Sequence, residues 1–201
     1  QSFETKAKEL GLEIVSVTTF TDDTTDFSVQ VADAKDNGAE LVFLPIYYTP
    51  ASMIFKQAAA VEYKPVFFGV DGMDGLLTME GFDTSLAEGV MLLTPYSADS
   101  KDEQSAAFTA KYEEKFGDIP TQFSADTYDC VYVIYQALKD GAINADMSAE
   151  EICEAMIAYM PTITVEGVTG TMTWGSDGNT NKPASAILYY DGVGTLFDHQ
   201  D

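Results

Sequence analysis

The chain has 201 residues, of which 46% are hydrophobic, enough for one large globular domain or two small lobes with packed cores. Its 33 acidic and 10 basic residues leave a net charge of -23. This charge argues against nucleic acid and anionic lipid as partners, because both are bound through basic surfaces. No apolar run in the sequence reaches the roughly 18 residues of a transmembrane helix.

The first residues are typical of a helix already in progress, which we expect to cover 2–10. Apolar and β-branched residues alternate over Leu12–Phe20 and predict a strand. An acidic loop follows, with carboxylates at Asp22, Asp23 and Asp26. These could form a cation site, or they could occupy turn and helix-cap positions. We favour turn and cap positions, since Asp and Thr commonly begin helices, and the next helix is predicted over 27–35.

Residues 39–75 are the most regular stretch of the sequence. Leu41–Ile46 and Val66–Val70 are short apolar runs, typical of strands buried on both faces of a parallel sheet. The residues between them have helical spacing, and Lys64-Pro65 would end that helix. This order predicts a βαβ unit with a right-handed crossover.

Polar clusters follow both of these strands. Tyr47, Tyr48 and Thr49 come after the first strand, and a glycine-rich loop from Asp71 to Asp74 comes after the second. Ligands of open α/β sheets bind at the carboxyl ends of the strands, and an aromatic pair beside a carboxylate suits an ammonium group. Ordinary polar loops would give the same pattern, so both interpretations stay open.

The second half of the chain is mostly helical. After a strand at Gly89–Leu93, helices are predicted over Glu103–Phe116 and Phe123–Asp140, and a third begins at the capping box Ser148…Glu151 and runs to about Tyr159. The second helix carries apolar residues at helical spacing: Tyr128, Val131, Tyr132, Tyr135 and Leu138. Such a stripe favours core packing over a ligand site. Strands return over 165–190.

Three further features carry little chemistry. The turn near residue 178 has oxygen ligands at alternate positions, Asp177, Asn179 and Asn181. The glutamate that completes a calcium loop is missing, so we expect a plain turn. Cys130 and Cys153 lie in predicted helices, where a disulfide is an alternative but buried thiols are favoured. With His199 as the single histidine, we expect neither a metal site nor a cofactor.

Several motifs occur in a set order: Thr25-Asp-Phe-Ser28, Glu40-Leu-Val-Phe43, Tyr47, Gln57-Ala58, Pro65-Val-Phe-Phe-Gly-Val-Asp-Gly72, Glu88-Gly89, Tyr112…Phe116-Gly117…Pro120, Ala125-Asp-Thr-Tyr-Asp129…Ala137-Leu138 and Gly170…Trp174…Asp177-Gly178. This set resembles the branched-chain amino acid type of periplasmic binding protein, the substrate-binding component of ABC importers. The resemblance covers essentially the whole sequence.

The resemblance implies a two-lobed type I fold of the α/β class, of which this chain is a C-terminal fragment. Residues 1–98 would form the main part of the second lobe, a three-layer αβα unit with a parallel sheet. Residues 99–164 would be helices belonging to the first lobe, and 165–201 strands returning to the second. The protein would be extracytoplasmic, in the periplasm or lipid-anchored at the cell surface.

The resemblance also implies a function and its residues. The ligand would be a branched-chain amino acid held in the cleft between the lobes, and an ABC permease in the membrane would be the partner. Tyr47 matches a tyrosine that lines this cleft, and Asp71 matches the acidic residue that receives the α-ammonium group. Tyr48 joins them as a candidate ligand-binding residue. Relatives also bind amides, urea or aromatic acids, so the ligand class stays open.

Two other functions are weighed against solute binding. The second function is an enzyme on a similar α/β scaffold, but the sequence has no nucleophile elbow, no glycine-rich phosphate loop and no metal cluster, and its single histidine makes a Ser–His–Asp or Cys–His site hard to build. A hydrolase using Asp71 and Asp74 is disfavoured because the two carboxylates are so close in one loop. An effector-sensing domain of the same fold is the third alternative.

The predicted helices over 103–160 should pack on a sheet that this chain lacks. Their aromatic faces would then be exposed, which favours a dimer, for example by exchange of these helices.

Overall fold

The structure is a computed structural model that describes residues 2–197. Its helices are α1 (Ser2–Glu9), α2 (Ser28–Asp36), α3 (Tyr48–Ala60), α4 (Glu103–Phe116), α5 (Gln122–Asp140) and α6 (Ala149–Tyr159). Its strands are β1 (Leu41–Leu44), β2 (Val66–Gly69), β3 (Met91–Thr94), β4 (Thr164–Gly167), β5 (Gly170–Trp174), β6 (Thr180–Asn181), β7 (Ser185–Tyr190) and β8 (Val193–Leu196). None of the helices in the described residues is long and apolar enough to cross a membrane.

The strands form two sheets. The larger has the order β1-β2-β3-β7-β8, and both of the pairs β1–β2 and β2–β3 are parallel. The smaller is an antiparallel sheet in the order β4-β5-β6. The described chain divides into two compact units, one of residues 2–92 with Leu188–Gly194 and one of Leu93–Ile187 with 195–197. The chain passes between the units within β3, β7 and β8.

Phenylalanine rings define the layers of the first unit. Successive strand residues point to opposite faces of a sheet, so Phe67 and Phe68 mark the two faces of β2. The Phe68 ring lies 5.7 Å from Phe43, which stacks at 3.9 Å on Phe3 of α1. On the other face, the Phe67 ring lies 4.5 Å from Phe55 of α3. Helices therefore cover both faces, and the predicted three-layer αβα arrangement with its βαβ unit is confirmed.

The second unit is built around α5. The buried carboxylate of Asp129 accepts hydrogen bonds from the backbone N–H groups of Val168 and Thr169, both at 2.9 Å, and from the Thr169 hydroxyl. These bonds tie the turn between β4 and β5 to the helix. α5 also contributes Val133 to a buried apolar cluster with Ile163, Val165 and Met172.

The compact units divide the chain differently from the predicted segments. The first boundary falls after Leu92 and not after residue 98. Residues 164–187 belong with the helices, because the β4–β5 hairpin packs on α5, and only Leu188–Gly194 returns to the first unit. The assignment of these units to the two lobes of a longer protein stays a prediction.

The predicted strand at Leu12–Phe20 is wrong. A strand needs a neighbour in a sheet, and within residues 2–197 the edge strand β1 pairs with β2 alone. Residues 12–20 instead form an irregular segment that two hydrogen bonds hold to α2. The Ser16 hydroxyl donates to the Asp33 carboxylate, and Gln30 Nε2 donates to the Thr19 carbonyl at 3.0 Å. Most of the larger apolar side chains of this segment are exposed, while Ile14 is half-buried: Leu12, Val15, Val17 and Phe20 are the exposed ones.

Two predictions about burial are also wrong. Cys130 and Cys153 are both exposed and free rather than buried or paired. The apolar stripe of α5 faces outward rather than into a core. Cys130 and the stripe are exposed for the same reason, since α5 turns a different face, which includes Ala125, Val133 and Ala137, toward the interior. Cys153 lies on α6, where no side chain is fully buried.

Most helices follow their predicted bounds. α4 and the capping box at Ser148 and Glu151 are confirmed, with Ser148 N donating to Glu151 Oε2 at 2.8 Å. α3 ends at Ala60, earlier than the Lys64-Pro65 stop, because Glu62 adopts a left-handed conformation with φ of 55°.

The acidic loops are turns, as predicted, but the residue at the cap position of α2 is Phe27, which makes no side-chain cap hydrogen bond. Asp26 Oδ1 accepts the Ser28 N–H at 2.9 Å, and Asp177 Oδ1 accepts the Asn179 N–H at 3.1 Å. These bonds hold the pKa of each carboxyl below its usual range. In the part of the chain that the structure describes, no cluster of three metal-ligating side chains occurs. His199 lies outside that part.

Candidate functional site

The candidate site lies at one edge of the larger sheet. β1 and β2 are parallel with Leu44 opposite Gly69, so their carboxyl ends meet at the same edge. After β1 the chain reaches Tyr47, which precedes the first turn of α3. After β2 it enters a short 3-10 turn at Asp71–Met73. The two polar clusters therefore follow neighbouring strands, as the sequence predicts.

Gly72 is the point where the two loops touch. A Cβ atom at this position would lie 2.9 Å from the Ile46 carbonyl oxygen and 3.3 Å from Tyr47 Cδ1. Only a residue without a side chain allows this approach. The glycine thus places the loop of Tyr47 directly against the loop of Asp71, and sequence patterning had not singled it out.

The three predicted residues differ in their exposure. Asp71 is exposed, and its Oδ1 accepts the N–H of Gly72 at 3.0 Å. The Tyr47 side chain is 65% exposed, so most of its ring is open to a ligand. Tyr48 is half-buried at the start of α3. The structure brings the loops of Tyr47 and Asp71 together, whereas Tyr48 is packed into the helix start.

Asp71 and Tyr47 together can bind a positively charged group. An exposed carboxylate can accept charge-assisted hydrogen bonds from an ammonium group, and these are stronger than neutral ones. An exposed aromatic ring beside it adds a cation–π attraction of about 0.5–1 kcal/mol. The arrangement therefore suits a small cationic or zwitterionic solute.

Two further residues support this edge: Asp74, which belongs to the predicted polar cluster, and Tyr189, which was not predicted. Asp74 Oδ1 accepts the N–H of Gly75 at 3.0 Å, and Tyr189 of β7 is 3% exposed. Burial, and next the negative charge of Asp74, raise the pKa of the Tyr189 hydroxyl. Residues 186–190 are apolar or aromatic throughout, so no alternation in the sequence distinguishes Tyr189 from its neighbours.

Tyr189 should make the fold sensitive to alkali. Its pKa in the folded chain lies above the unfolded value near 10.0, so the stability it contributes is intact below pH 10 and falls as pH rises further. The loss is about 1.4 kcal/mol per pH unit for this buried tyrosine. We expect Tyr189→Phe to lessen the fall in Tm above pH 10, measured by circular dichroism. An unchanged slope would contradict this.

Known proteins match this chain over almost its whole length. A profile described as periplasmic binding protein matches residues 1–192. The Leu/Ile/Val-binding protein of Citrobacter freundii is 24% identical over 201 residues, which is 98% of this chain and 51% of that protein. The chain thus spans about half the length of the curated relatives it matches.

Solved structures agree with this match. A leucine-binding protein from Thermotoga maritima has a TM-score of 0.82 and 23% identity, covering 98% of this chain and 54% of its own. A solute-binding protein of an ABC transporter from R. palustris, solved with benzoate, has a TM-score of 0.82 and 15% identity, covering 96% and 52%. These similarities confirm the α/β type I fold, and the chain belongs to the periplasmic binding protein family.

Proposed function

We propose that this protein is the solute-binding component of an ABC importer and that its solute is a small amino acid of the branched-chain type. The observation that carries this proposal is the exposed carboxylate of Asp71 in a loop packed against the exposed Tyr47 ring. The Leu/Ile/Val-binding relatives support the amino acid class. In this proposal Asp71 receives the α-ammonium group, and Tyr47 and Tyr48 line the ligand.

The proposal extends to location and partner. A binding component of this kind works outside the cytoplasm, in the periplasm or lipid-anchored, and delivers its solute to a membrane permease. We propose no catalytic role for the site, since the family and its structural neighbours are binding proteins. The charge of Asp74, the second carboxylate of the hydrolytic pair that the sequence disfavours, instead acts on buried Tyr189 by raising its pKa.

A thermal-shift experiment with matched ligands tests the role of Asp71. L-leucine and 4-methylpentanoate share a side chain and a carboxylate, and only leucine has an ammonium group. At about 100 times its Kd, leucine should add roughly 2.7 kcal/mol of stability, whereas 4-methylpentanoate should add little. Asp71→Asn should weaken leucine binding about 10- to 100-fold, since a hydrogen bond to a charged group contributes about 1.5–3 kcal/mol.

Two variants complete the design. Asp36→Asn removes an equal charge from an exposed position at the end of α2 and should keep the leucine response. Gly72→Ala should reduce it, because the new methyl would meet the Ile46 carbonyl and push the two loops apart. Stabilisation by leucine that survives Asp71→Asn would remove Asp71 from the site.

An aromatic acid is the second candidate solute, and the neighbour solved with benzoate favours it. Benzoate has no ammonium group, so its binding would not depend on Asp71. Stabilisation by benzoate and not by leucine, unchanged in Asp71→Asn, would select this alternative. The absence of a shift with every ligand would contradict amino acid binding by this chain.

A further inference from the structure

The turn that carries Asp71 is anchored in the core by the side chain of Met73. Met73 is completely buried, although it lies only two residues after exposed Asp71. Its N–H donates to the Val70 carbonyl at 2.9 Å, and the Asp74 N–H donates to the Asp71 carbonyl at 3.0 Å. These bonds close a 3-10 turn, in which the chain folds back on the end of β2. The turn therefore joins an exposed carboxylate to a core side chain.

Gly69, the last residue of β2, leaves the space that Met73 occupies. A Cβ atom at Gly69 would overlap the Met73 sulfur and would lie 3.0 Å from its Cε and 3.1 Å from its Cγ. Carbon atoms in contact prefer about 3.5–4.0 Å. Gly69 lies two residues after Phe67, so the contact is on the sheet face that α3 covers, and α3 also contacts the turn. Since Met73 is enclosed, it has no solvent into which it could move.

The turn is thus fixed on two sides. The Met73 side chain holds it to β2, and the close approach of Gly72 to the Ile46 carbonyl holds it to the loop of Tyr47. Both residues that follow Asp71 are buried, whereas Asp71 itself is exposed. An unbranched thioether fills an irregular space well, so methionine suits this position. The place of the carboxylate therefore depends on a side chain that has no surface of its own to offer a ligand.

We propose that Met73 is a positioning residue for the carboxylate of Asp71 and that Gly69 provides the space it needs. This inference rests on the proposed function, in which Asp71 receives the α-ammonium group of the solute. Met73 acts only through the turn, because it sets where the Asp71 backbone lies. A hydrogen bond from nitrogen to oxygen needs a donor–acceptor distance of about 2.7–3.2 Å, so a shift of the turn by about 1 Å is enough to lose it.

Amide hydrogen exchange followed by NMR tests whether Met73 fixes the turn. In Met73→Ala, the amides at positions 73 and 74 should exchange at least about 10-fold faster relative to those of β2, because the turn opens locally. Met172→Ala is the matched control, since it makes the same substitution at a buried methionine of β5. It should lower Tm and leave this exchange ratio unchanged. Met73→Leu nearly conserves the volume and should also keep the ratio.

Binding of L-leucine, measured by calorimetry, tests the consequence for the site. Met73→Ala should weaken leucine binding about 10-fold, whereas Met73→Leu and Met172→Ala should stay within about threefold of the natural chain. Gly69→Ala should weaken it as Met73→Ala does, because its methyl group displaces the Met73 side chain. Combining Gly69→Ala with Met73→Ala should cost less than the product of the two single effects, since the methyl enters space that the shorter side chain leaves open.

The outcomes separate this inference from the proposed function. An exchange ratio that is unchanged in Met73→Ala overturns the positioning role of Met73, and so does leucine binding that weakens equally in Met172→Ala. A natural chain that does not bind leucine contradicts the proposed function instead, and the exchange ratio then decides by itself whether Met73 fixes the turn of Asp71.

Discussion

Replacing Asp129 with alanine should cost about 3–5 kcal/mol of unfolding free energy. Its carboxylate is the acceptor for the N–H groups of Val168 and Thr169 and for the Thr169 hydroxyl, all of them buried. Each buried donor left without an acceptor costs about 1–3 kcal/mol. This loss is a large part of the roughly 5–15 kcal/mol by which a protein is stable. Urea unfolding followed by Trp174 fluorescence measures it, because this single tryptophan lies in β5.

Asp140→Ala is the matched control for Asp129→Ala. It makes the same substitution on the same helix at an exposed position, and its effect should stay within about 0.5 kcal/mol. If both variants unfold at the same urea concentration, the hairpin does not depend on the Asp129 carboxylate.

Adding a methyl group at Gly167 should be nearly as damaging. A Cβ there would lie 2.6 Å from Asp129 Cγ and 2.7 Å from its Oδ1, closer than such atoms can approach. The carboxylate is held by its hydrogen bonds and cannot move aside without losing them. We expect Gly167→Ala to cost about 2–3 kcal/mol, a typical penalty for overpacking a filled site. The same fluorescence measurement reports it.

The double variant gives the clearest outcome for this pair. Once Asp129 is alanine, the space above Gly167 is open, and Gly167→Ala should add less than about 0.5 kcal/mol. The coupling between the two positions should therefore reach roughly 2 kcal/mol, as contacting residues can show. Strictly additive effects would mean that the carboxylate and the glycine do not contact each other.

Local pattern was enough to find the βαβ unit and its loops. The apolar runs Leu41–Ile46 and Val66–Val70 predict two strands, and the structure has them at Leu41–Leu44 and Val66–Gly69. Such runs are apolar because helices cover both faces of the sheet. Tyr47 and Asp71 follow from the rule that parallel strands end at one edge. Gly72 and Tyr189 could not be found in this way. Their roles depend on which loop and which strand lie beside them, and these contacts join residues far apart in the chain.

The sequence by itself determined the class of fold, the family motifs, most helix bounds and the capping box, because these depend on neighbours within a few residues. Only the tertiary structure decided three other features. The apolar alternation of residues 12–20 forms no strand, since a strand requires a paired edge. The tyrosines of α5 face outward because the opposite face of the helix packs on the β4–β5 hairpin. Asp129 became a structural residue because folding brings two distant N–H groups onto its carboxylate.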